Sequence, residues 1–304
     1  MDYNLSMIFA EKLYKILPAS IIKKLQPKIM SIVAKQLHIV GQSMNYVDIN
    51  VVDHCNLKCK YCANFCPLVN EKFLDVAGFD KDCERLSALS SGKIKTIRLL
   101  GGEPLLHPLL IEIMMVTRKH FPLSEIDLVT NGILLLKIPM AFWTRCEAFG
   151  IRVAISHYPI KLNYVKIKSI AKEYGVKTVY GKKPRGMYKW LLDINGCQDI
   201  KESHAYCIRA NQCAVLQEGK IYACSLPPWI RYFNEYFGKD LRVNEFDYID
   251  IYKAKNFAEV LEFLGKPIPF CKYCNTKKIV YVGNIKKGNN RMDIIKTRGV
   301  PRAG

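Results

Sequence analysis

A chain of 304 residues, half of them hydrophobic and 24% charged, has ample material for a packed core and does not read as a disordered segment. Lys and Arg number 46 against 27 Asp and Glu, a net charge of +19 that favours anionic partners such as a phosphorylated substrate, an anionic membrane surface or nucleic acid. Twelve cysteines with no recognisable secretory signal argue against a disulfide framework and for metal or redox chemistry in a reducing, cytoplasmic setting.

Residues 1–44 read as an N-terminal helical extension of two stretches divided by Pro18. In the second stretch Ile21, Ile22, Leu25, Ile29, Ile32 and Val33 oppose Lys23, Lys24 and Lys28. Such a basic amphipathic helix packs on its own domain or makes peripheral contact with a membrane. No window offers ~18–20 uncharged apolar residues, so a spanning helix is not expected.

From 45 to 194 the pattern alternates between strand and helix. Strands are predicted at 46–52, 94–100, 126–130, 151–156 and 176–180, with helices at 80–90, 108–120, 139–149 and 164–174 between them. Strands separated by helices pair in parallel through right-handed crossovers, and a sixth unit near 187–192 would complete a partial (β/α)6 TIM-type barrel. The fold class expected is therefore α/β, with a small cysteine-rich α+β auxiliary domain at 195–285 and a basic tail at 286–304. Within the auxiliary domain, residues 215–222 read as a hairpin turning at Gly219. Cys83 and Cys146 sit among apolar neighbours in helical patterns and read as core.

The first strand runs directly into Asp53-His54-Cys55-Asn56-Leu57-Lys58-Cys59-Lys60-Tyr61-Cys62. Three thiols on one short loop, at the strand end where barrel active sites form, suit a cubane iron–sulfur cluster in which each iron takes one Cys. With four irons and three thiolates, one iron is left open to a ligand. The competing reading is structural zinc, with His54 or Cys66 as a fourth ligand, although paired C-x2-C knuckles are the commoner zinc spacing.

C-x3-C-x2-C with an aromatic before the last Cys, followed after the next strand by Gly101-Gly102-Glu103-Pro104, resembles the radical S-adenosylmethionine superfamily. The resemblance implies that Cys55, Cys59 and Cys62 hold a 4Fe-4S cluster and that Gly101, Gly102, Glu103 and Pro104 bind the methionine amino group. It also implies adenine beside Tyr61 and nucleoside or methionine contacts at Asn131 and Ser156. Thr130-Asn131-Gly132 and Ser156-His157 have a plainer reading as caps or turns after strands. The implied reaction is reductive cleavage of S-adenosylmethionine to a 5′-deoxyadenosyl radical that abstracts hydrogen from a substrate carbon. No side chain in the sequence identifies itself as the final hydrogen donor.

Cys207, Cys213, Cys224, Cys271 and Cys274 form a second set whose spacing resembles the SPASM and twitch extensions of that superfamily. The resemblance implies a second, auxiliary 4Fe-4S cluster; four ligands suffice and five candidates are present, with Cys224, Cys271 and Cys274 preferred and Cys207 or Cys213 as the spare. A structural zinc knuckle is the alternative. The fuller strings around Cys55 and Gly101 resemble radical S-adenosylmethionine proteins associated with cell-surface polysaccharide synthesis. The expected substrate is a nucleotide sugar or other phosphorylated glycan, altered by dehydrogenation, epimerisation or deoxygenation, and the expected reductant is a flavodoxin or ferredoxin. A peptide maturase and a non-catalytic iron–sulfur or zinc protein are the alternatives. No nucleic-acid partner is expected, because no zinc-finger, helix-turn-helix or aromatic-basic RNA motif is present.

Overall fold

The computed structural model describes residues 39–40, 42–59, 62–158, 160–181, 188–207 and 213–281. Most of the expected N-terminal extension, all of the basic tail, and Tyr61 lie outside the described residues.

After a short β1 (Ile39–Val40), the ten-residue β2 (Ser43–Val52) forms the spine of the main sheet. Its alternate residues Val47, Ile49 and Val51 are buried. β3 (Ile94–Gly101), β4 (Glu125–Thr130), β5 (Ile151–Ile155) and β6 (Thr178–Tyr180) follow, each parallel to the one before. The crossovers are α1 (Val76–Ser90), α2 (Leu110–His120), α3 (Ala141–Ala148) and α4 (Tyr164–Glu173). The architecture is α/β with a mostly parallel central sheet. Local chemistry starts the helices: the Asp75 carboxylate accepts from Gly78 N at 2.8 Å to open α1, and the Asn163 side chain accepts from Lys166 N at 3.0 Å to open α4. Cys83 and Cys146 are fully buried in the core, as expected of small hydrophobes.

The expectation of a sixth barrel strand near 187–192 is corrected. β7 (Tyr188–Leu192) leaves the main sheet and pairs antiparallel with β11 (Cys274–Tyr281). The physical reason is chain length, since the segment between β6 and β7 is shorter than the dozen or so residues a parallel crossover requires. The sixth parallel strand is instead β8 (Val215–Gln217), which lies on the other side of β2, with Asp48 opposite Val215. It turns back through Glu218 and Gly219, both at positive φ (50° and 71°), into β9 (Lys220–Tyr222), and β10 (Tyr248–Asp250) continues the sheet outward. A two-residue turn of this kind matches the twist of its strands.

The C-terminal part is thus sewn to the main sheet through β8 and through α1. Asp82 accepts from Gly219 N and from the Tyr252 hydroxyl, each at 2.7 Å, and Arg85 donates to the carbonyls of Ile251 (2.8 Å) and Ala254 (2.7 Å). Its helices are α5 (Ile200–Ala205), α6 (Ile230–Phe237) and α7 (Phe257–Leu264). Among the described residues no helix is long and apolar enough to cross a membrane.

One face of the sheet carries a row of alternating charge. Asp48, Arg98, Asp127 and Arg152 are successive register partners across β2, β3, β4 and β5. Arg98 grips Asp48 with two bonds, of 2.6 and 2.8 Å, and stacks over the Tyr46 ring at 4.1 Å. Arg152 reaches Asp127 at 2.6 Å. Burial pushes the Asp48 carboxyl above its usual range, and the Arg98 guanidinium opposes that push.

Arg98→Met is therefore expected to destabilise the fold by about 3 kcal/mol at neutral pH, because it leaves a buried carboxylate unpaired. In the variant the Asp48 pKa rises further above its unfolded value of about 4. A folded-state pKa that is raised favours the folded state on protonation, so the deficit should narrow as the pH falls through that raised value. Urea unfolding midpoints of both proteins across pH check the magnitude and the sign.

Candidate functional site

Parallel pairing brings the C-terminal ends of β2, β3, β4 and β5 to one edge, and four loops meet there. The loop after β2 carries Cys55, Cys59 and Cys62; those after β3, β4 and β5 carry Gly101–Pro104, Asn131 and Ser156.

The first two loops are joined backbone to backbone. Gly102 N donates to Val52 O at 2.7 Å, and Glu103 N donates to His54 O at 3.2 Å. A Cβ on Gly102 would stand 1.8 Å from His54 O, and one on Gly101, whose φ is +146°, would stand 2.3 Å from Val52 O. What the paired glycines visibly accommodate is the cysteine loop itself. Glu103 then ties the third loop in: fully buried, its carboxylate accepts from Thr130 Oγ1 at 2.6 Å, Asn131 N at 2.8 Å and Leu105 N at 3.2 Å. Burial pushes its pKa up, and these hydrogen bonds restrain the rise. Asn131 closes the circuit by donating through Nδ2 to Asn56 Oδ1 at 2.7 Å and lying 3.8 Å from Cys55 Sγ. Ser156 N donates to Thr130 O at 2.8 Å, while His157 Nδ1 lies 3.4 Å from the Tyr164 hydroxyl.

Burial pushes the Cys55 and Cys59 thiols up to about 12; Glu103 and then the neighbouring sulfurs add to the rise at Cys55, and Cys62 adds to it at Cys59. Without a cation these thiols resist ionisation; bound iron would reverse that balance and hold them as thiolates. Among the described residues no three His, Cys, Asp or Glu side chains are arranged to grip a single metal ion. A cubane does not ask for that arrangement, because each iron takes its own thiolate. The donor set fits such a cluster.

Cys66, 4% exposed, hydrogen-bonds Cys62 and places a fourth sulfur beside the three. His54 is already engaged, its Nδ1 accepting from Lys72 N at 3.2 Å and its ring packing edge-on to Phe73 at 5.0 Å.

The second set of cysteines converges as well. Burial is the main cause raising the Cys224 thiol, and Cys207, Cys213 and Cys271 all add to it as charge neighbours. Burial pushes Cys271 up to about 11, with Cys207 again close. Cys213 is also a charge neighbour of Arg98. Cys274 opens β11 opposite Leu192, and its carbonyl accepts from Ser203 Oγ at 2.8 Å. Cys197 is exposed.

Sequence reading missed several residues that the fold brings here. Asn56 and Thr130 were visible beside motif residues, but their partners were not. Tyr158, two positions past Ser156, is raised chiefly by burial and then by Cys59, Cys62, Cys55 and Cys66, so it lies in the neighbourhood of these cysteines. Asp53 is buried and accepts from the Tyr232 hydroxyl of α6, a pairing across 179 positions that no local pattern signals.

Gly102→Ala should cost roughly 3 kcal/mol or more of backbone strain and force the cysteine loop away from the Glu103 loop. The expected outcome is a folded barrel, by circular dichroism, that retains less than about half of the parent's iron after anaerobic reconstitution and desalting. Parent-like iron retention in the variant would refute the backbone-packing account.

Comparison with known proteins places the motifs in a family. The model described as "Radical SAM superfamily" matches residues 49–154, the stretch from β2 through β5. A GTP 3′,8-cyclase of Chlorobaculum tepidum is 36% identical over 106 residues, covering 34% of this chain and 31% of that protein. The GTP 3′,8-cyclase of Clostridium botulinum is 24% identical over 267 residues, covering 81% of each chain. In most of the curated relatives the match spans about a third of their length. Among solved structures, BtrN in complex with AdoMet and 2-DOIA overlays 76% of this chain and 92% of that one, at 19% identity and a TM-score of 0.47. The family implies a 4Fe-4S cluster and S-adenosylmethionine as cofactors. The match to the radical SAM superfamily model is carried by residues 49–154, which hold both the cysteine loop and Gly101–Pro104.

Proposed function

We propose that this chain is a radical S-adenosylmethionine enzyme acting on a phosphate-bearing small molecule, a nucleotide sugar or other phosphorylated carbohydrate, by dehydrogenation, epimerisation or deoxygenation at a carbinol carbon. The observation that carries the reading is the union of the Cys55–Cys62, Gly101–Pro104 and Thr130–Asn131 loops into one hydrogen-bonded unit at the C-terminal edge of a parallel sheet. Cys55, Cys59 and Cys62 would hold three irons of the cluster and leave the fourth for the methionine amino and carboxylate groups. When bound, the cluster supplies the electron that splits the sulfonium and releases the 5′-deoxyadenosyl radical.

The chain's own residues orient and enclose. Glu103 spends three of its roughly four acceptor positions on the protein, so a methionine ammonium would have one position at Oε2 left to it. Asn131 steers the Cys55 side of the loop. Tyr158 is half-buried near the same cysteines. A second cluster drawn from Cys207, Cys213, Cys224, Cys271 and Cys274 is supported by Cys207, Cys213 and Cys271 acting as charge neighbours of Cys224; Cys224, Cys271 and Cys274 are the preferred ligands, with Cys207 or Cys213 as the spare.

The substrate class rests on the net charge of +19, which favours a polyanion, and on the resemblance of the motif strings to proteins of surface-polysaccharide synthesis. A second reading, a purine nucleotide triphosphate, is favoured by the Clostridium botulinum relative named for GTP, which covers 81% of both chains. Electrons would come from a flavodoxin or ferredoxin.

Anaerobically reconstituted protein is expected to carry about eight irons, and a Cys55→Ala/Cys59→Ala/Cys62→Ala variant about four. With dithionite and S-adenosylmethionine the parent should form 5′-deoxyadenosine and the variant none. Stimulation by nucleotide sugars supports the first substrate reading; stimulation by GTP alone supports the second. Absence of 5′-deoxyadenosine under every condition sinks both.

A further inference from the structure

Consecutive residues of α6 touch the two ends of the cysteine loop. At the leading end, the Tyr232 hydroxyl donates to Asp53 Oδ2, two positions before Cys55. Asp53 is 5% exposed and Tyr232 8%. Arg231 supports the pair, donating to Tyr232 Oη at 3.1 Å and lying 3.6 Å from Asp53 Oδ2. At the trailing end, Phe233 packs on Phe65 with ring centroids 5.7 Å apart, and Phe65 N donates to Cys62 O at 3.2 Å. Phe65 itself holds a left-handed φ of 53°, a conformation that surrounding contacts must maintain.

The helix that makes these contacts is firmly placed. It follows Cys224 through a turn over Pro227–Trp229, in which two prolines restrict the backbone and Trp229 is 1% exposed. Its C-terminal half is pinned by Asn234, whose side chain exchanges two bonds with the backbone of Leu241, at 3.0 and 3.1 Å. A buried carboxylate and an aromatic ring are thus held from one element at either end of the cysteine loop.

We infer that Tyr232 is a positioning residue for the first cluster: with Phe233 it brackets the Cys55–Cys62 loop from the C-terminal part, and its hydroxyl fixes the Asp53 end. The inference rests on the radical S-adenosylmethionine reading and adds a structural role for α6 in setting where the open iron faces. Loss of the hydroxyl loosens the loop without removing a ligand, so cluster release and cofactor affinity change together. Because the Tyr232 hydroxyl acts through Asp53, removing it in the Asp53→Leu background costs little more than Asp53→Leu alone.

The test compares the parent with Tyr232→Phe, Asp53→Leu, the double variant and Asp53→Asn, all reconstituted anaerobically in the full chain. Folding is checked by thermal unfolding. Two quantities are read: the rate of iron release to a chelator, and the S-adenosylmethionine concentration that half-converts the electron paramagnetic resonance spectrum of the reduced cluster. In Tyr232→Phe both should rise about tenfold, the factor that one lost hydrogen bond to a charged group carries. Asp53→Leu and the double variant should match it, and Asp53→Asn, which keeps an acceptor for the hydroxyl, should lie near the parent. Parent-like values in Tyr232→Phe, or additive effects in the double variant, overturn the inference. A parent spectrum that ignores S-adenosylmethionine overturns the underlying functional reading instead, so the two failures are distinguishable.

Discussion

The site depends on a contact between two stretches of bare backbone. Gly101 and Gly102 lie so close to residues 52–54 that neither could carry a side chain, and the hydrogen bonds to Val52 O and His54 O run through that contact. Glu103 can reach Thr130 and Asn131 only because its own backbone is anchored on the cysteine loop. Asn131 returns the connection to Asn56 and Cys55. Residues from three loops are thereby joined, and the leading end of the cysteine loop, from Val52 to Asn56, is held by a hydrogen-bonded frame.

Below that frame the sheet solves a different problem. A barrel-like sheet has two faces, and here the helix-facing side is filled by Val47, Ile49, Ile97, Leu99, Ile126, Leu128 and Val153. The other face carries the row Asp48, Arg98, Asp127 and Arg152, in which each charge has an opposite charge as its register neighbour. Such a row makes the register hard to change: a slip of one residue would move charges to the apolar face and apolar residues to the polar one. The strand ends, and with them the loops, are placed by this match.

The C-terminal part is tied to the barrel through several independent contacts. β8 extends the main sheet, Asp82 and Arg85 of α1 hold the segment around Gly219 and Ile251, and α6 reaches the cysteine loop. Of the second group of thiols, Cys213 is a charge neighbour of Arg98.

Much of this was legible without coordinates. Alternation of apolar and polar residues located β2 to β6 and their helices within a few positions, because strand and helix periods are local properties of the chain. The cysteine spacing and Gly-Gly-Glu-Pro identified the cofactor chemistry, since ligand type and spacing are written in consecutive residues. Tertiary structure decided the rest. Periodicity cannot say which strand a segment joins, so Tyr188–Leu192 was assigned to the barrel although it pairs with β11, and β8 supplies the sixth parallel strand. For Glu103, the tertiary structure adds partners that the sequence does not show: three of its roughly four acceptor positions are taken by Leu105 N, Thr130 Oγ1 and Asn131 N, and one at Oε2 is left. The Asp53–Tyr232 bond and the gathering of Cys207, Cys213, Cys224 and Cys271 join residues far apart in the chain, and such contacts depend on how the sheet and helices pack rather than on any neighbouring residue.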